Sequence, residues 1–210
     1  MKGLRLPEGT CKPLRPSFYK RPAPMVAWDL LGKILVHNGP DGPRGGIITE
    51  TEAYLGKRDR ACHASHGLTN RNRIFYEAEA GTAYVFQCHG GKFLFNVLTN
   101  DYEPLECVLI RAIEPTIGVE RMQGNHHKEA CHLTNGPAKM SKALGITKSI
   151  NGSLVTDGPV LILGSRKNGY SKDSSPRIGI SRDKEYPLRY YIAGNRFVSR
   201  HPGPKPNAIR

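Results

Sequence analysis

Two carboxylates and one aromatic ring stand at alternate positions of a short stretch early in the chain. Successive side chains of a β-strand point to opposite faces, so Ile48, Glu50, Glu52 and Tyr54 are predicted to share one face. A carboxylate beside an aromatic ring at the end of a strand suits the wall of a pocket, where it could deprotonate a water molecule. The alternative is an edge strand whose glutamates face solvent.

A single arginine, Arg111, lies in the otherwise apolar run 108–113, which predicts a further strand. A guanidinium stays protonated in proteins, so a buried arginine requires an anionic or hydrogen-bonding partner. Glu52 is the attractive partner, because a neighbouring guanidinium favours an ionised carboxylate that can orient and deprotonate water. Alternatively, Arg111 points to solvent from a half-buried strand.

By residue type, Glu50 and Glu52 could instead ligate a metal ion together with His63 and His66. Two carboxylates on one strand face with nearby imidazoles would suit a metal-dependent hydrolase. However, two histidines spaced three apart are common by chance, and no second acidic cluster accompanies them. We therefore predict no metal site and no cofactor.

Two further polar residues stand where a ligand could be contacted. His89 lies in the Gly-rich turn 88–91 between the apolar runs 82–87 and 92–98, which predict a hairpin with an exposed tip. It is either an ordinary surface histidine or a probe that inserts into nucleic acid. Asn96 lies inside the second run, where its amide requires hydrogen bonds, either in the core or at a pocket.

The charge of the chain indicates a polyanionic partner. Its 210 residues carry 31 lysines and arginines against 18 aspartates and glutamates, a net charge of +13. The basic residues are spread along the whole chain, and nucleic acid is the commonest polyanion that such a protein binds. A basic protein that is merely soluble is the alternative.

Five cysteines, an odd number with no CxxC pair, argue against a disulfide scaffold or a zinc ribbon. They indicate reduced thiols in an intracellular protein. No apolar run approaches the roughly 20 residues that span a bilayer, so we expect a soluble protein without a membrane segment.

Periodicity and turn residues predict one mixed α+β domain with mainly antiparallel pairing. The stretches 33–37 and 47–55 predict a β-hairpin across a turn rich in Gly and Pro, and a helix is predicted over 25–31. Further strands are predicted over 160–163, 177–181 and 188–193, with helices from Pro115 to about residue 124 and over 137–144. The predicted organisation is a poorly ordered basic arm (1–17), the domain itself (18–200) and a Pro-rich tail (201–210).

Ordered motifs spread over residues 18–200 are similar to those of the alkyladenine (3-methyladenine) DNA glycosylase family. The matching motifs are FYKRP at 18–22, TEAYLG at 51–56, CH at 62–63, RNR at 71–73, GTAYV at 81–85, VLIRAIEP at 108–115, NGPAK at 135–139, RIGI at 177–180 and PLRYY at 187–191. The resemblance implies a curved, mainly antiparallel sheet with surrounding helices and a protruding hairpin that lies along the minor groove of DNA.

The activity implied by the resemblance is hydrolysis of an N-glycosidic bond in double-stranded DNA. A monomeric, monofunctional enzyme would flip a damaged purine into a pocket and leave an abasic site, as base excision repair requires. Its substrates would be alkylated or deaminated purines such as 3-methyladenine, 7-methylguanine, hypoxanthine and ethenoadenine. No metal or redox cofactor is implied.

Three positions match catalytic residues of that family. Glu52 matches its general base, and Arg111 matches an arginine that helps to hold the nucleophilic water. Ile178 matches a residue whose backbone carbonyl also holds that water.

Four positions match residues around the flipped base. Tyr54 and His63 match residues that sandwich or hydrogen-bond the base. Asn96 matches an asparagine that screens against the exocyclic amino group of guanine, and Leu109 matches a residue that lines the site near the lesion.

At two positions the chain departs from the family pattern. The hairpin tip usually presents a tyrosine that fills the gap left by the flipped nucleotide, and here it carries His89. The aromatic position three residues earlier is Phe86, which keeps the ring of the pocket but lacks a hydroxyl. An imidazole is smaller than a phenol and can be charged, so the wedge is expected to rely less on stacking.

Overall fold

The computed structural model describes residues 12–101, 103, 105–124, 129–165 and 169–199, with the side chains of His89 and Ala130 excepted. The predicted tail, 201–210, and the first eleven residues of the predicted arm lie outside the described residues. The rest of that arm contacts the sheet, because Pro13 forms an isolated β-bridge with Leu163.

Eight strands and six α-helices occur in the described part of the chain. The strands are β1 (Ile34–Gly39), β2 (Gly42–Tyr54), β3 (Ala83–Cys88), β4 (Lys92–Thr99), β5 (Glu106–Ile117), β6 (Val160–Leu163), β7 (Lys172–Ser175) and β8 (Arg189–Ile192). The helices are α1 (Pro16–Tyr19), α2 (Ala23–Leu30), α3 (Ile74–Glu77), α4 (Val119–Gln123), α5 (Ala130–Thr134) and α6 (Pro137–Leu144).

All eight strands belong to one antiparallel sheet, which confirms the predicted α+β class with antiparallel pairing. The main path runs β3-β4-β5-β2-β1-β6, while β8 pairs with both β2 and β7. The long strand β2 therefore lies near the centre, bonded to β5 on one side and to β1 and then β8 on the other.

Both predicted hairpins form. β1 and β2 join through a tight turn, and β3 and β4 join through a turn at His89–Gly91. At the second tip Gly90 has a φ of 73°, a left-handed conformation that glycine adopts without steric cost. The β3–β4 pair forms the end of the sheet's main path.

The main core forms where α2 and α6 pack on the sheet. Val26 and Leu30 of α2 are fully buried and share one hydrophobic cluster with Ile110 of β5. Helix α6 adds the buried residues Met140 and Leu144 to the same cluster. A second, smaller cluster includes Cys62, Phe75, Tyr84, Leu98 and Cys107.

Three register shifts interrupt the pairing of β2 with β5, one between Gly45 and Gly46 and two others that leave Thr49 and Arg111 as bulged residues. The pairs around them are Ile48 with Ile113, Glu50 with Ala112 and Thr51 with Ile110. The prediction that Ile48 shares a face with Glu50 is therefore wrong. Ile48 packs in the main core, whereas Glu50 bonds to Arg111, because the bulges reverse the side-chain alternation.

Two other local predictions are wrong. Pro115 continues β5, and the helix that follows begins at Val119. The segment 177–181 is an irregular loop in which Gly179 has a φ of 81°, a value outside the range of strands. The polar strand β7 carried no apolar alternation and was not predicted.

The four described cysteines carry thiols and form no disulfide with one another, while Cys11 lies outside the described residues. Among the helices that the structure describes, none has the length and apolarity that a bilayer crossing requires.

Candidate active site

The carboxylate of Glu52 is fully buried near the end of β2 and is held by three donors. Its Oε1 atom accepts a hydrogen bond from the backbone N–H of Ile178 at 2.8 Å and lies 3.0 Å from Nη1 of Arg111. Its Oε2 atom accepts the hydroxyl hydrogen of Tyr54 at 2.9 Å. These contacts fix the carboxylate in one orientation.

Arg111 joins Glu52 to the second glutamate. Its Nε donates to Oε1 of Glu50 at 2.7 Å. The carboxylate of Glu50 also accepts hydrogen bonds from Nε of Arg189 at 2.6 Å and from the backbone N–H and hydroxyl of Ser199, each at 2.7 Å. Two carboxylates thus face two guanidiniums, so the buried cluster is balanced in charge.

The charges in this cluster set the protonation of its members. Burial alone would raise the pKa of Glu50, but the charges of Arg111 and Arg189 outweigh it and hold that pKa below its usual value. Burial would lower the pKa of Arg111, and Glu52 and Glu50 raise it instead. Burial, and then the neighbouring Glu52, raise the pKa of Tyr54 well above its usual value. At neutral pH Glu50 is ionised, Arg111 is cationic and Tyr54 is a neutral donor.

A cavity of about 410 Å³ opens beside Glu52. Its volume lies within the range of about 300–1,000 Å³ that is usual for small-molecule sites. The three residues that hold the Glu52 carboxylate all line it, namely Tyr54, Arg111 and Ile178. Other lining residues are His63, Phe75, Tyr84, Phe86, Asn96 and Leu109. A planar, mainly apolar ligand would therefore lie next to a buried carboxylate.

Four rings form an aromatic wall of the cavity: His63, Phe75, Tyr84 and Phe86. Tyr84 stacks on Phe86 with ring centroids 5.4 Å apart, and Phe75 meets Tyr84 edge-on at 4.9 Å. His63 meets Phe86 edge-on at 4.6 Å. Aromatic faces carry negative partial charge and attract flat or cationic rings.

His63 is a neutral member of this wall at physiological pH. Burial, followed by the charges of Arg71 and His66, lowers the pKa of His63 to about 4. Its Nδ1 lies 2.7 Å from the hydroxyl oxygen of Tyr84, a hydrogen bond whose donor depends on the tautomer. That bond fixes the ring plane of the imidazole within the wall.

Comparison with known proteins identifies the family of the chain. The family model described as methylpurine-DNA glycosylase (MPG) matches residues 17–196. The chain belongs to the methylpurine-DNA glycosylase family. It is accordingly a hydrolase of N-glycosyl bonds, and the family's activity associates it with DNA.

Curated relatives are similar over most of their length. Proteins named "Putative 3-methyladenine DNA glycosylase" match from Methanoculleus marisnigri (38% identical, 88% of this chain and 97% of the relative) and Bacillus subtilis (40%, 90% and 97%). A protein of the same name from Lactiplantibacillus plantarum is 42% identical over 84% of this chain and 86% of its own length.

In this glycosylase the fold brings the predicted pocket residues together. Tyr54, His63, Phe86, Asn96 and Leu109 all line the same cavity beside Glu52, although they come from four strands and a loop. Asn96 is buried, and its Nδ2 donates to the backbone carbonyl of Tyr84 at 3.1 Å. The two roles considered for Asn96, a core hydrogen bond and pocket lining, are thus combined.

For the remaining two predicted site residues, Ile178 and His89, the structure describes the relevant position through backbone atoms. Ile178 contacts Glu52 through its N–H, while the predicted use of its carbonyl for water stays a prediction. The backbone of His89 begins the turn at the β3–β4 tip, but its side chain is outside what the structure describes.

The structure does not assemble the metal site that was considered for Glu50, Glu52, His63 and His66. Both glutamates bond to Arg111 instead. Among the described residues, the one group spaced closely enough for a metal ion is Glu129, Cys131 and His132, and none of the three lines the cavity.

The sequence patterns did not indicate several contributors to the site. Arg189 carries the same signal as Arg111, because it is a charged residue in an apolar strand. A search for its anionic partner would have indicated that it belongs to the site. Ser199 has no such signal, because it reaches Glu50 from 149 positions away in the sequence. Arg177 stacks on Tyr54 with its Cζ 4.7 Å from the ring centroid.

Proposed function

We propose that this chain is a monofunctional DNA glycosylase that flips an alkylated or deaminated purine out of duplex DNA and hydrolyses its N-glycosidic bond. The observation that carries the proposal is the fully buried carboxylate of Glu52, held by Arg111, Tyr54 and the N–H of Ile178 beside an aromatic cavity. The proposed substrates are the 3-methyladenine, 7-methylguanine, hypoxanthine and ethenoadenine class, and we expect the enzyme to act as a monomer.

Access to the cavity requires base flipping. A base stacked in a duplex cannot reach a buried carboxylate, so the nucleotide must rotate out of the helix, and damaged bases cost least to extrude. The net charge of +13 favours a sequence-independent affinity for the phosphate backbone. The turn His89–Gly91, at the end of the sheet's main path, is suited to fill the gap that the nucleotide leaves.

Glu52 acts in this proposal as the general base. A carboxylate accepts hydrogen bonds at about four positions, and Arg111, Ile178 and Tyr54 occupy three. A water molecule bound at the fourth attacks C1′ of the deoxyribose and gives its proton to Glu52. The C1′–N bond breaks, and its electron pair leaves with the purine. The negative charge of Glu52 also stabilises the oxocarbenium character of the sugar.

The leaving base determines how much help the cavity must provide. A purine alkylated at N3 or N7 is cationic and leaves as a neutral molecule without a proton donor. A neutral base such as hypoxanthine requires a proton or a hydrogen-bond donor as it leaves. His63 is neutral above about pH 4, and the hydroxyl of Tyr54 already donates its hydrogen bond to Glu52. We therefore infer that cationic bases depend least on this site for acid catalysis.

Strand cleavage through a Schiff base would require a lysine amine at the sugar. None of the described residues that line the cavity is a lysine. Lys57, the lysine nearest to Glu52 in the sequence, forms an exposed ion pair with Glu103. The product is therefore expected to be an intact strand with an abasic site.

A defined duplex tests the proposal. DNA that carries one hypoxanthine is incubated with the protein, and half of each sample is then heated in alkali. We expect strand breaks at the lesion only after alkali. Breaks before alkali would indicate a lyase step, and no breaks in either sample would support a protein that binds nucleic acid without catalysis.

A further inference from the structure

Arg177 is a buried arginine beneath the site that does not line the cavity. Its Nη1 donates to the backbone carbonyl of Ala53 at 3.0 Å, so it is tied to the end of β2. Its Nη2 donates to the carbonyl of Asp183 at 3.3 Å, which lies further along its own loop. Its guanidinium also packs on the ring of Tyr54 at 4.7 Å. One side chain thus connects the catalytic strand with the loop that follows β7.

Asp59 is the anionic partner of this guanidinium. Its two carboxylate oxygens bind both terminal nitrogens of Arg177, at 2.5 and 2.9 Å. The same oxygens accept the backbone N–H groups of Leu55 and Ala61, each at 3.0 Å. The pair therefore also fixes the turn that follows Tyr54.

The loop that this pair holds delivers one of the three donors to Glu52. Ile178 comes directly after Arg177, and its N–H lies 2.8 Å from Oε1 of Glu52. The segment 176–188 contains no strand, so ladder hydrogen bonds do not set its position. The contacts of the Arg177 side chain therefore restrain the peptide that carries the Ile178 N–H.

Arginine is the residue type that this arrangement requires. A planar guanidinium donates in a fixed fork to a carboxylate and can at the same time stack on a ring, whereas an ammonium is a point charge. Burial alone would lower the pKa of Arg177, but the hydrogen bond and the charge of Asp59 raise it, so the side chain remains cationic.

We propose that Arg177, locked by Asp59, is a positioning residue of the glycosylase reaction: it aims the Ile178 N–H at Glu52 and supports the ring of Tyr54. The inference rests on the proposed role of Glu52. A misplaced donor disturbs the orientation of the carboxylate and of the water it activates, so the loss should appear in the chemical step rather than in DNA binding.

The test compares Arg177→Lys with Arg60→Lys. Arg60 bonds to Asp183 at 2.6 Å in the same pair of loops, but its side chain is 69% exposed. The same chemical change is therefore made outside the buried pair of Arg177 and Asp59. Three quantities are measured for each variant: the single-turnover rate of base release, the affinity for duplex DNA with an abasic-site analogue, and the hydrogen exchange rate of the Ile178 amide.

We expect Arg177→Lys to slow base release about tenfold or more, to leave the affinity for the analogue nearly unchanged, and to speed exchange of the Ile178 amide. Arg60→Lys should alter none of the three. Unchanged release with unchanged exchange would overturn the proposal, and so would equal losses of rate and affinity with a lowered melting temperature, which indicate a purely structural role.

The amide measurement keeps this proposal separate from the proposed function. If the wild-type protein releases no base, the proposed function fails, yet exchange at Ile178 still shows whether Arg177 fixes that peptide. The variant Asp59→Asn removes the negative charge that pairs with Arg177 and should reproduce the faster exchange of the Ile178 amide. Slow exchange in both variants would overturn the positioning role.

Discussion

Nη1 of Arg111 lies 3.0 Å from Oε1 of Glu52, and both side chains are buried. The Nε atom of the same guanidinium lies 2.7 Å from Glu50. One arginine therefore bridges two carboxylates of the central strand. Only Glu52 among these carboxylates is held by three residues that line the cavity, whereas Glu50 is enclosed by Arg189 and Ser199.

Replacing Glu52 by glutamine should abolish catalysis and spare binding. The amide cannot take a proton from water, and general-base catalysis contributes about 10²–10⁴ in rate. We expect Glu52→Gln to slow single-turnover release of 7-methylguanine by about that factor while its affinity for the lesion duplex persists. The control is Glu120→Gln, the same change at an exposed ion pair with Arg121. Turnover at the wild-type rate would remove Glu52 from the mechanism.

Replacing Glu50 by glutamine should affect stability in a pH-dependent manner. The pKa of Glu50 is lowered on folding, so its contribution to the free energy of unfolding is present above the unfolded value near 4.5 and is lost as the pH falls through the folded value. We expect Glu50→Gln to lower that free energy by about 3–5 kcal/mol at pH 7. The difference from wild type should shrink below pH 4.5.

Urea unfolding at several pH values measures this effect. The exposed variant Glu120→Gln again serves as the control and should change the free energy of unfolding by less than about 1 kcal/mol. A difference between wild type and Glu50→Gln that stays constant from neutral to acidic pH would contradict the assignment of Glu50 as an ionised, buried partner.

His63 should titrate far below an ordinary histidine. Its pKa of about 4 means that the folded protein disfavours the imidazolium, so stability gained from the neutral ring is present above pH 6.5 and declines as the pH falls from 6.5 towards 4. Proton NMR of the imidazole resonances, assigned with His63→Asn, measures the value directly. Titration of the His63 resonance near pH 6.5 would show that the ring is solvated and the wall open.

Activity should not require a divalent metal. Glu52 is neutralised by an arginine, and the described group that is spaced for a metal, Glu129 with Cys131 and His132, does not line the cavity. We expect full base release after exhaustive chelation. The variant Cys131→Ser removes one potential ligand, and its rate of base release should match that of the wild type. A loss of turnover on chelation that is restored by added metal would instead favour a metal-dependent hydrolase.

Local patterns were sufficient to predict much of the sheet. The β1–β2 and β3–β4 hairpins follow from apolar runs separated by glycine-rich turns, and β6 matches its predicted bounds of 160–163. Strand β7 was missed because its side chains are polar and largely exposed, so they leave no period-two apolar signal.

The candidate site was only partly predictable for a different physical reason. The spacing of Glu50 and Glu52 indicates a shared face, and Arg111 indicates an anionic partner. The bulges that turn Ile48 into the core, and the approach of Arg189 from 139 positions away, depend on tertiary packing that no local pattern encodes. The assignment of 177–181 as a strand failed for the same reason.

The tip residue His89 is expected to act in flipping rather than in hydrolysis. It begins the turn between β3 and β4, at the end of the sheet's main path. Stacking of a side chain on a base is worth about 1–3 kcal/mol, so His89→Ala should weaken lesion-duplex binding about tenfold. His89→Tyr, which supplies a larger ring, should strengthen it.

Two measurements separate the effects of His89 on flipping and on hydrolysis: fluorescence anisotropy gives the affinity for the lesion duplex, and a single-turnover assay gives the rate of base release from a single-stranded oligonucleotide of the same sequence. A wedge acts only where a partner strand leaves a gap, so release from the single strand should be equal for wild type, His89→Ala and His89→Tyr. Equal duplex affinity of all three proteins would show that this tip does not enter the helix, and the basic surface would then account for binding alone.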